Sequence, residues 1–224
     1  MSLNPGKQGV EPPAAAKERI MIAAETVFAQ HGYDAATVRK IATEAGVPVA
    51  LVSYHYGSKE GLYRAIFERR APTIMDQRIA GLRIARAEPD LTRRIDLVVR
   101  ALIVPMFSLR GDDPSTEFGR IMTRELSDPQ AEARGIIAEI FDPIAHLLID
   151  AISECFPDWT KEEVHWAYHT MLGAMTYVML DNGRIARLSG GSCDSNDWET
   201  AARYVCAILS AGLKNLDRSL TGPG

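Results

Sequence analysis

The sequence predicts an all-α protein, with a small N-terminal domain of short helices followed by a larger helical domain. Apolar residues recur at i, i+3, i+4 and i+7 in stretch after stretch of the 224 residues, N-capping residues and glycines bracket those stretches, and no alternating run of useful length marks a strand. Hydrophobic residues make up 46% and charged residues 24%, enough for one large core or two small ones. The 25 Lys and Arg against 29 Asp and Glu give a net charge of −4, which excludes a polycation that coats nucleic acid or acidic lipid. Any such binding must be local.

Residues 1–15 carry Pro5, Gly6, Gly9, Pro12 and Pro13 with almost no large apolar group, and are expected to form a flexible arm. From Lys17 on, the stripe Ile20, Ala23, Ala24, Val27 and Phe28 makes a first helix that Gly32 closes. Thr37 caps a second, short helix with Val38, Ile41, Ala42 and Ala45 inward, and Gly46 stops it. The third helix starts around Pro48 and runs to about His55, where Gly57 and Ser58 break it. A fourth follows from Lys59 with Leu62, Ile66 and Phe67 inward, ended or kinked at Pro72. Beyond it helices are expected over 73–87, 91–109, 116–127, 129–155, 161–181 and 197–217. Asp128 caps the one at 129–155, with Pro129 first and a kink at Pro143. Thr160 with Glu163 and Asn196 with Glu199 form capping boxes, and 189–196 reads as a flexible connection.

The richest apolar run, Leu102 to Leu109, is too short for a membrane span and contains Pro105, and the first residues lack the order of a secretory signal. Cys155, Cys193 and Cys206 form no CxxC pair and leave one thiol over in any disulfide scheme. A cytoplasmic protein, away from membranes, is expected.

Residues 37–55 hold two short helices joined by Gly46-Val47-Pro48, the outline of a helix-turn-helix. The second helix, PVALVSYHY, has small or flat residues on its leading edge, so Val49, Ala50 and Leu51 can approach base edges while Tyr54, His55 and Lys59 meet flanking phosphates. The plainer alternative makes Tyr54 and Tyr56 core aromatics of an ordinary αα corner. Residues 1–70 hold nine basic against seven acidic side chains and residues 71–224 sixteen against twenty-two, so the first part is the more basic one.

The block AAETVFAQHGYDAATVRKIATEAGVPVALVSYHYGSKEGLYRAIFERR resembles the N-terminal DNA-binding domain of the TetR family of bacterial transcription regulators. The resemblance covers residues 17–70 and implies a helix-turn-helix domain over 16–70 and a helical effector-binding and dimerisation domain over 71–224. It implies a homodimeric repressor, released from a double-stranded DNA operator by a small molecule. The family's DNA-contacting positions fall on Arg39, Val49, Ala50, Leu51, Ser53, Tyr54, His55 and Lys59. Members of the family commonly place a polar residue where Val49 or Leu51 stands and an aromatic where Ser53 stands. Readout by thymine-methyl contact, by Arg39 and by operator shape is therefore expected.

Past residue 70 the resemblance is one of layout. Two stripes, Val164, Ala167, Tyr168, Met171, Met175 and Val178, then Val205, Ile208, Leu209, Gly212 and Leu216, either pair across a twofold axis or face their own core. Met106, Phe107, Phe118, Met122, Phe141, His146 and Trp166 supply adaptable apolar groups for an apolar or aromatic effector, or fill the core. His165 and His169, i and i+4 with Glu162 a turn earlier, invite a metal reading, but Trp166 stands where an HExxH signature needs Glu and no further ligands complete a shell. No metal or cofactor is expected. With no G-x-S-x-G elbow, P-loop or dinucleotide fingerprint, an enzyme ranks below both a ligand-responsive regulator and a helical regulator without a small ligand.

Overall fold

The structure, a computed structural model, describes residues 13–109, 115–180, 183–194 and 196–216. The described residues form eleven helices and no strand. They divide into two compact units, Met1–Ile66 and Phe67–Gly224. Most of the arm expected at residues 1–15 lies outside the described residues; Pro13 is the first residue of a helix.

In the N-terminal unit α1 (Pro13–Ala35) buries Ile20, Ala23, Ala24, Val27 and Phe28, the stripe its spacing predicts. Gly32 breaks the helical path with φ 75° and ψ 174°, a region open to glycine alone. Tyr63, on the first turns of α4 (Lys59–Ala87), meets Phe28 edge-on at 4.7 Å and Tyr33 at 4.9 Å, so aromatic packing closes this small core. Thr37 Oγ1 accepts from the Lys40 amide to start α2 (Val38–Ala45). At its end Gly46 is left-handed, its amide returning to the Thr43 carbonyl and that of Val47 to the Ala42 carbonyl, a Schellman closure. Pro48 caps α3 (Val49–Tyr56), so the helix begins one residue later than expected.

The C-terminal unit departs further from expectation. Pro72 neither ends nor breaks α4, which runs on to Ala87. Pro72 is exposed, as is Glu68 one turn earlier, so the carbonyl that a proline leaves without its helical partner lies on the solvent side, while Phe67, Ala71 and Ile74 hold the opposite face in the core. After α5 (Leu91–Phe107), capped by Asp90 on the amides of Thr92 and Arg93, come α6 (Ser115–Ser127) and a four-residue α7 (Ala131–Arg134). The single helix expected at 129–155 is thus two, α7 and α8 (Ile136–Cys155), with left-handed Gly135 between them and Pro129 in a turn. The turn is held because Arg134 folds back onto Glu125 at 2.8 Å and Asp128 at 2.5 Å, a pairing a continuous helix would not allow. Asp128 still caps locally, accepting from the Gln130 amide at 2.9 Å.

α9 (Lys161–Met179) carries the expected Thr160–Glu163 capping box. The five-residue α10 (Arg184–Leu188) lies where no helix is expected, and α11 (Trp198–Lys214) is capped by Asp197, not Asn196, through an acceptor for the Thr200 amide at 3.1 Å. α5 packs on α8, α9 and α11, and α9 packs on α6, α8 and α11.

Candidate nucleic-acid interface

Only Val52 of α3 is fully buried. Val49, Ala50, Ser53 and Tyr54 are exposed and, at about 100° per residue, share one face of the helix. Val49 keeps 46% and Tyr54 81% of its surface open, and the Tyr54 hydroxyl makes no hydrogen bond among the described residues. Tyr54 is therefore no core aromatic. Tyr56 is half-buried, and its hydroxyl donates to the Lys17 carbonyl at 3.1 Å, tying α3 to α1.

The eight DNA positions separate. Arg39, exposed on α2, has no ion pair among the described residues, and its carbonyl serves the Thr43 hydroxyl. Leu51 is half-buried on the flank away from the exposed face. His55 is half-buried too, its Nε2 enclosed with no hydrogen-bond partner and its ring 5.1 Å from that of Tyr54. Lys59, expected at a phosphate, does something else. Its ammonium donates to the carbonyls of Tyr33 at 3.0 Å and Ala36 at 3.3 Å and lies 4.2 Å from the Tyr33 ring centroid. These contacts span 23 and 26 residues, a separation no local motif reveals.

Gly61 is a residue that sequence reasoning passed over. A Cβ there would stand 2.4 Å from the Tyr56 carbonyl oxygen, so α4 approaches the end of α3 this closely only over a glycine. Ser58 Oγ accepts from the Gly61 amide at 3.0 Å, setting the first turn of α4 just past the exposed face of α3.

The seven ligand candidates do not form one site. Met106, Phe107, Phe118, Met122 and Phe141 are buried core residues, Phe118 packing edge-on against Phe67 at 5.4 Å. His146 and Trp166 instead line an open recess of about 500 Å³ with Asp142, Ala145, Ile149 and Tyr168. His165 and His169 are exposed and line it too, with Glu162, and among the described residues no three His, Cys, Asp or Glu side chains are placed to hold a metal.

The stripe expected to pair across a twofold axis on α9 turns inward: Val164, Ala167, Met171 and Met175 are buried. The opposite face of α9 is open at Trp166, Gly173 and Tyr177, and α11 is open at Tyr204, Ile208 and Gly212. Among the described residues no helix is long and apolar enough to cross a membrane.

Residues 20–66 match the tetR family of bacterial regulatory proteins, and residues 100–212 match the tetracyclin repressor-like C-terminal domain. The HTH-type transcriptional dual regulator CecR of Shigella flexneri is 29% identical over 212 residues, 91% of this chain and 93% of that protein. The HTH-type transcriptional activator FasR of Mycolicibacterium smegmatis is 36% identical over 84 residues, 37% of this chain and 36% of that one. Among solved structures, the transcriptional regulator FadR from Bacillus subtilis in complex with stearoyl-CoA has a TM-score of 0.62 at 19% identity, covering 87% of this chain and 98% of that one. AibR in complex with isovaleryl coenzyme A and operator DNA has a TM-score of 0.61 at 16% identity, over 86% and 97%. Both share the fold. With family matches at both ends, the exposed face of α3 beside a glycine-closed turn, and a helical second unit, this chain belongs to the TetR family of DNA-binding transcription regulators.

Proposed function

We propose that the chain is a homodimeric, cytoplasmic repressor that holds a two-half-site DNA operator through residues 16–70 and is released when a small molecule binds within residues 71–224. The observation that carries the DNA reading is the open face of α3. Val49, Ala50, Ser53 and Tyr54 present two apolar contacts, a hydroxyl and a phenol, all open to solvent. In this reading they approach base edges and thymine methyls, and Arg39 supplies the bidentate contact. Leu51, His55 and Lys59 position the helix: Lys59 ties the start of α4 to the end of α1, so its ammonium leaves the phosphate set.

TetR regulators act as dimers, and two recognition helices must meet grooves about 34–36 Å apart. The open faces of α9 and α11, with Ile208 67% exposed and clear space over Gly173 and Gly212, suit the contact between subunits. The ligand reading rests on the recess at Trp166 and His146, supported by fold relatives that hold stearoyl-CoA and isovaleryl coenzyme A. The repressor reading draws on relatives such as AcnR of Corynebacterium glutamicum, named a transcriptional repressor and 35% identical over 54 residues.

Selection of bound DNA from random sequence with the full-length protein tests the reading. An enriched inverted repeat with half-sites one or two helical turns apart is expected. Failure to enrich any sequence would overturn it.

A further inference from the structure

The recess between α8 and α9 holds two carboxylates and no lysine or arginine. Asp142 comes from α8 and Glu162 from the first turn of α9, both exposed and neither in an ion pair among the described residues. Arg78, whose guanidinium interacts electrostatically with Tyr168, is no part of this lining. It is 5% exposed, its Nη2 donates to the Leu102 carbonyl at 3.3 Å, and among the described residues no carboxylate pairs with it. A ligand in the recess therefore meets no guanidinium.

The imidazoles of the recess add acceptors rather than donors. His146 Nδ1 donates to the Asp142 carbonyl at 2.8 Å and His165 Nδ1 to the Lys161 carbonyl at 2.6 Å, each one helical turn back. A carbonyl oxygen only accepts, so the proton of each neutral ring sits on Nδ1 and Nε2 is left as a lone pair. Both rings are exposed. Two carboxylates and two imidazole nitrogens thus offer a ligand acceptors alone.

The aromatic surface points the same way. Trp166 is 63% exposed and forms a T-shaped pair with the third imidazole, His169, at 5.9 Å. An indole face carries negative charge density and is the side-chain surface on which a cation rests best. Ala145 and Ile149 of α8 supply an apolar wall, and the volume of about 500 Å³ falls within the range of small-molecule sites. A carboxylate or phosphate placed here would face two like charges with no cation to offset them. A protonated amine finds acceptors for its three N–H groups.

We propose that the recess binds an organic cation: the ammonium group of an amphipathic primary amine donates among Asp142, Glu162 and the imidazole Nε2 atoms beside the Trp166 ring, while its apolar body lies along Ala145 and Ile149. This deepens the ligand-responsive reading above and rests on it. The effector class is an alkyl or arylalkyl amine.

The test uses the full-length protein and probes matched in shape but not in charge: 4-phenylbutylamine, 4-phenylbutanol and 4-phenylbutyrate, then hexylamine, hexanol and hexanoate. By calorimetry the wild type is expected to bind at least one amine about 10- to 100-fold more tightly than its alcohol, as for charge-assisted against neutral hydrogen bonds, and the acid most weakly. The double variant Asp142→Asn with Glu162→Gln changes two exposed side chains and should stay folded while amine and alcohol come to bind alike. Trp166→Leu, made separately, should weaken the amine more than the alcohol. Equal binding of amine and alcohol by the wild type, tighter binding of the acid, or no binding of either amine would overturn the proposal. So would a folded double variant that keeps the preference for the amine. If random-sequence selection enriches an operator while headgroup charge makes no difference, this inference falls and the regulator stands. If no operator is enriched, the regulator reading falls whichever headgroup the recess prefers.

Discussion

The N-terminal unit leaves a set of side chains open on α2 and α3, and the C-terminal unit buries more of its charge. In the first, the core is aromatic and aliphatic apart from buried Glu25, the polar groups of Thr37, Ser58 and Lys59 hold helix ends and carbonyls, and Arg39, Val49 and Tyr54 remain open. In the second, charged groups enter the core itself: Glu125 with Arg134 in a satisfied cluster, Arg78 without a carboxylate. DNA presents its recognisable atoms on a surface, so a reader of DNA needs a rigid exterior. A small-molecule site instead sets a few polar groups among apolar ones. The difference shows which substitutions act on folding and which on binding.

The largest expected effect breaks the interior of the second unit. Arg134→Met removes the guanidinium from buried Glu125 and from Asp128, and should lower stability by about 3–5 kcal/mol in urea melts. It stands opposite Arg78→Met, expected to raise the melting temperature because the guanidinium it removes is buried without a carboxylate. If both lower it alike, the distinction between a paired and an unpaired buried arginine collapses.

Lys59→Met takes a donor from the Tyr33 and Ala36 carbonyls and should cost the N-terminal unit about 1–3 kcal/mol. The dependence of DNA affinity on salt should stay as in the wild type. A slope shallower by about two units per dimer would return Lys59 to the phosphates.

On the exposed side, Arg39→Ala should leave the melting curve within about 0.5 kcal/mol while costing about 1–3 kcal/mol in operator binding and relaxing sequence preference. A uniform loss on every sequence would make it a backbone contact. Gly173→Leu sharpens the same contrast, because a Cβ at that position meets nothing within 4 Å. Its subunit should stay folded while light scattering shows a weakened dimer; an unchanged dimer would move the interface elsewhere.

The smallest effect is one of pH. The Gln130 amide and then the Arg134 guanidinium hold the Asp128 carboxyl below the usual carboxylate range. A group depressed on folding stabilises above its unfolded value of about 3.9 and loses that contribution as pH falls through the folded value. Asp128→Asn should therefore flatten the loss of stability on acidification below about pH 4. An identical acid limb in the mutant would count against the assignment.

The N-terminal unit is legible in the sequence because its signals are local. Thr37, Gly46 and Gly57 each act within a few residues, and the α1 stripe emerges on the face its period predicts. The roles of Leu51, His55 and Lys59 are not legible, since the carbonyls that hold Lys59 come from another helix. In the second unit a period shows that α9 has an apolar face, yet Val164 and Met171 face their own core while the open face carries Trp166, Gly173 and Tyr177. Composition alone does not distinguish an interface from a core when both are apolar. That Pro72 does not end α4 has a related reason: whether a proline stops a helix depends on what surrounds the freed carbonyl, which is a tertiary fact.

Trp166 also gives the molecule an optical reporter. Of the three tryptophans it is the most exposed, at 63%, whereas Trp159 stacks on Phe156 at 4.1 Å and Trp198 is partly covered. An indole in water emits to the red of one in an apolar setting, so the red edge of the intrinsic fluorescence belongs to Trp166. Because its ring borders both the recess and the open face of α9, a filled recess and a paired subunit should each pull that emission to the blue, and only the second should depend on protein concentration.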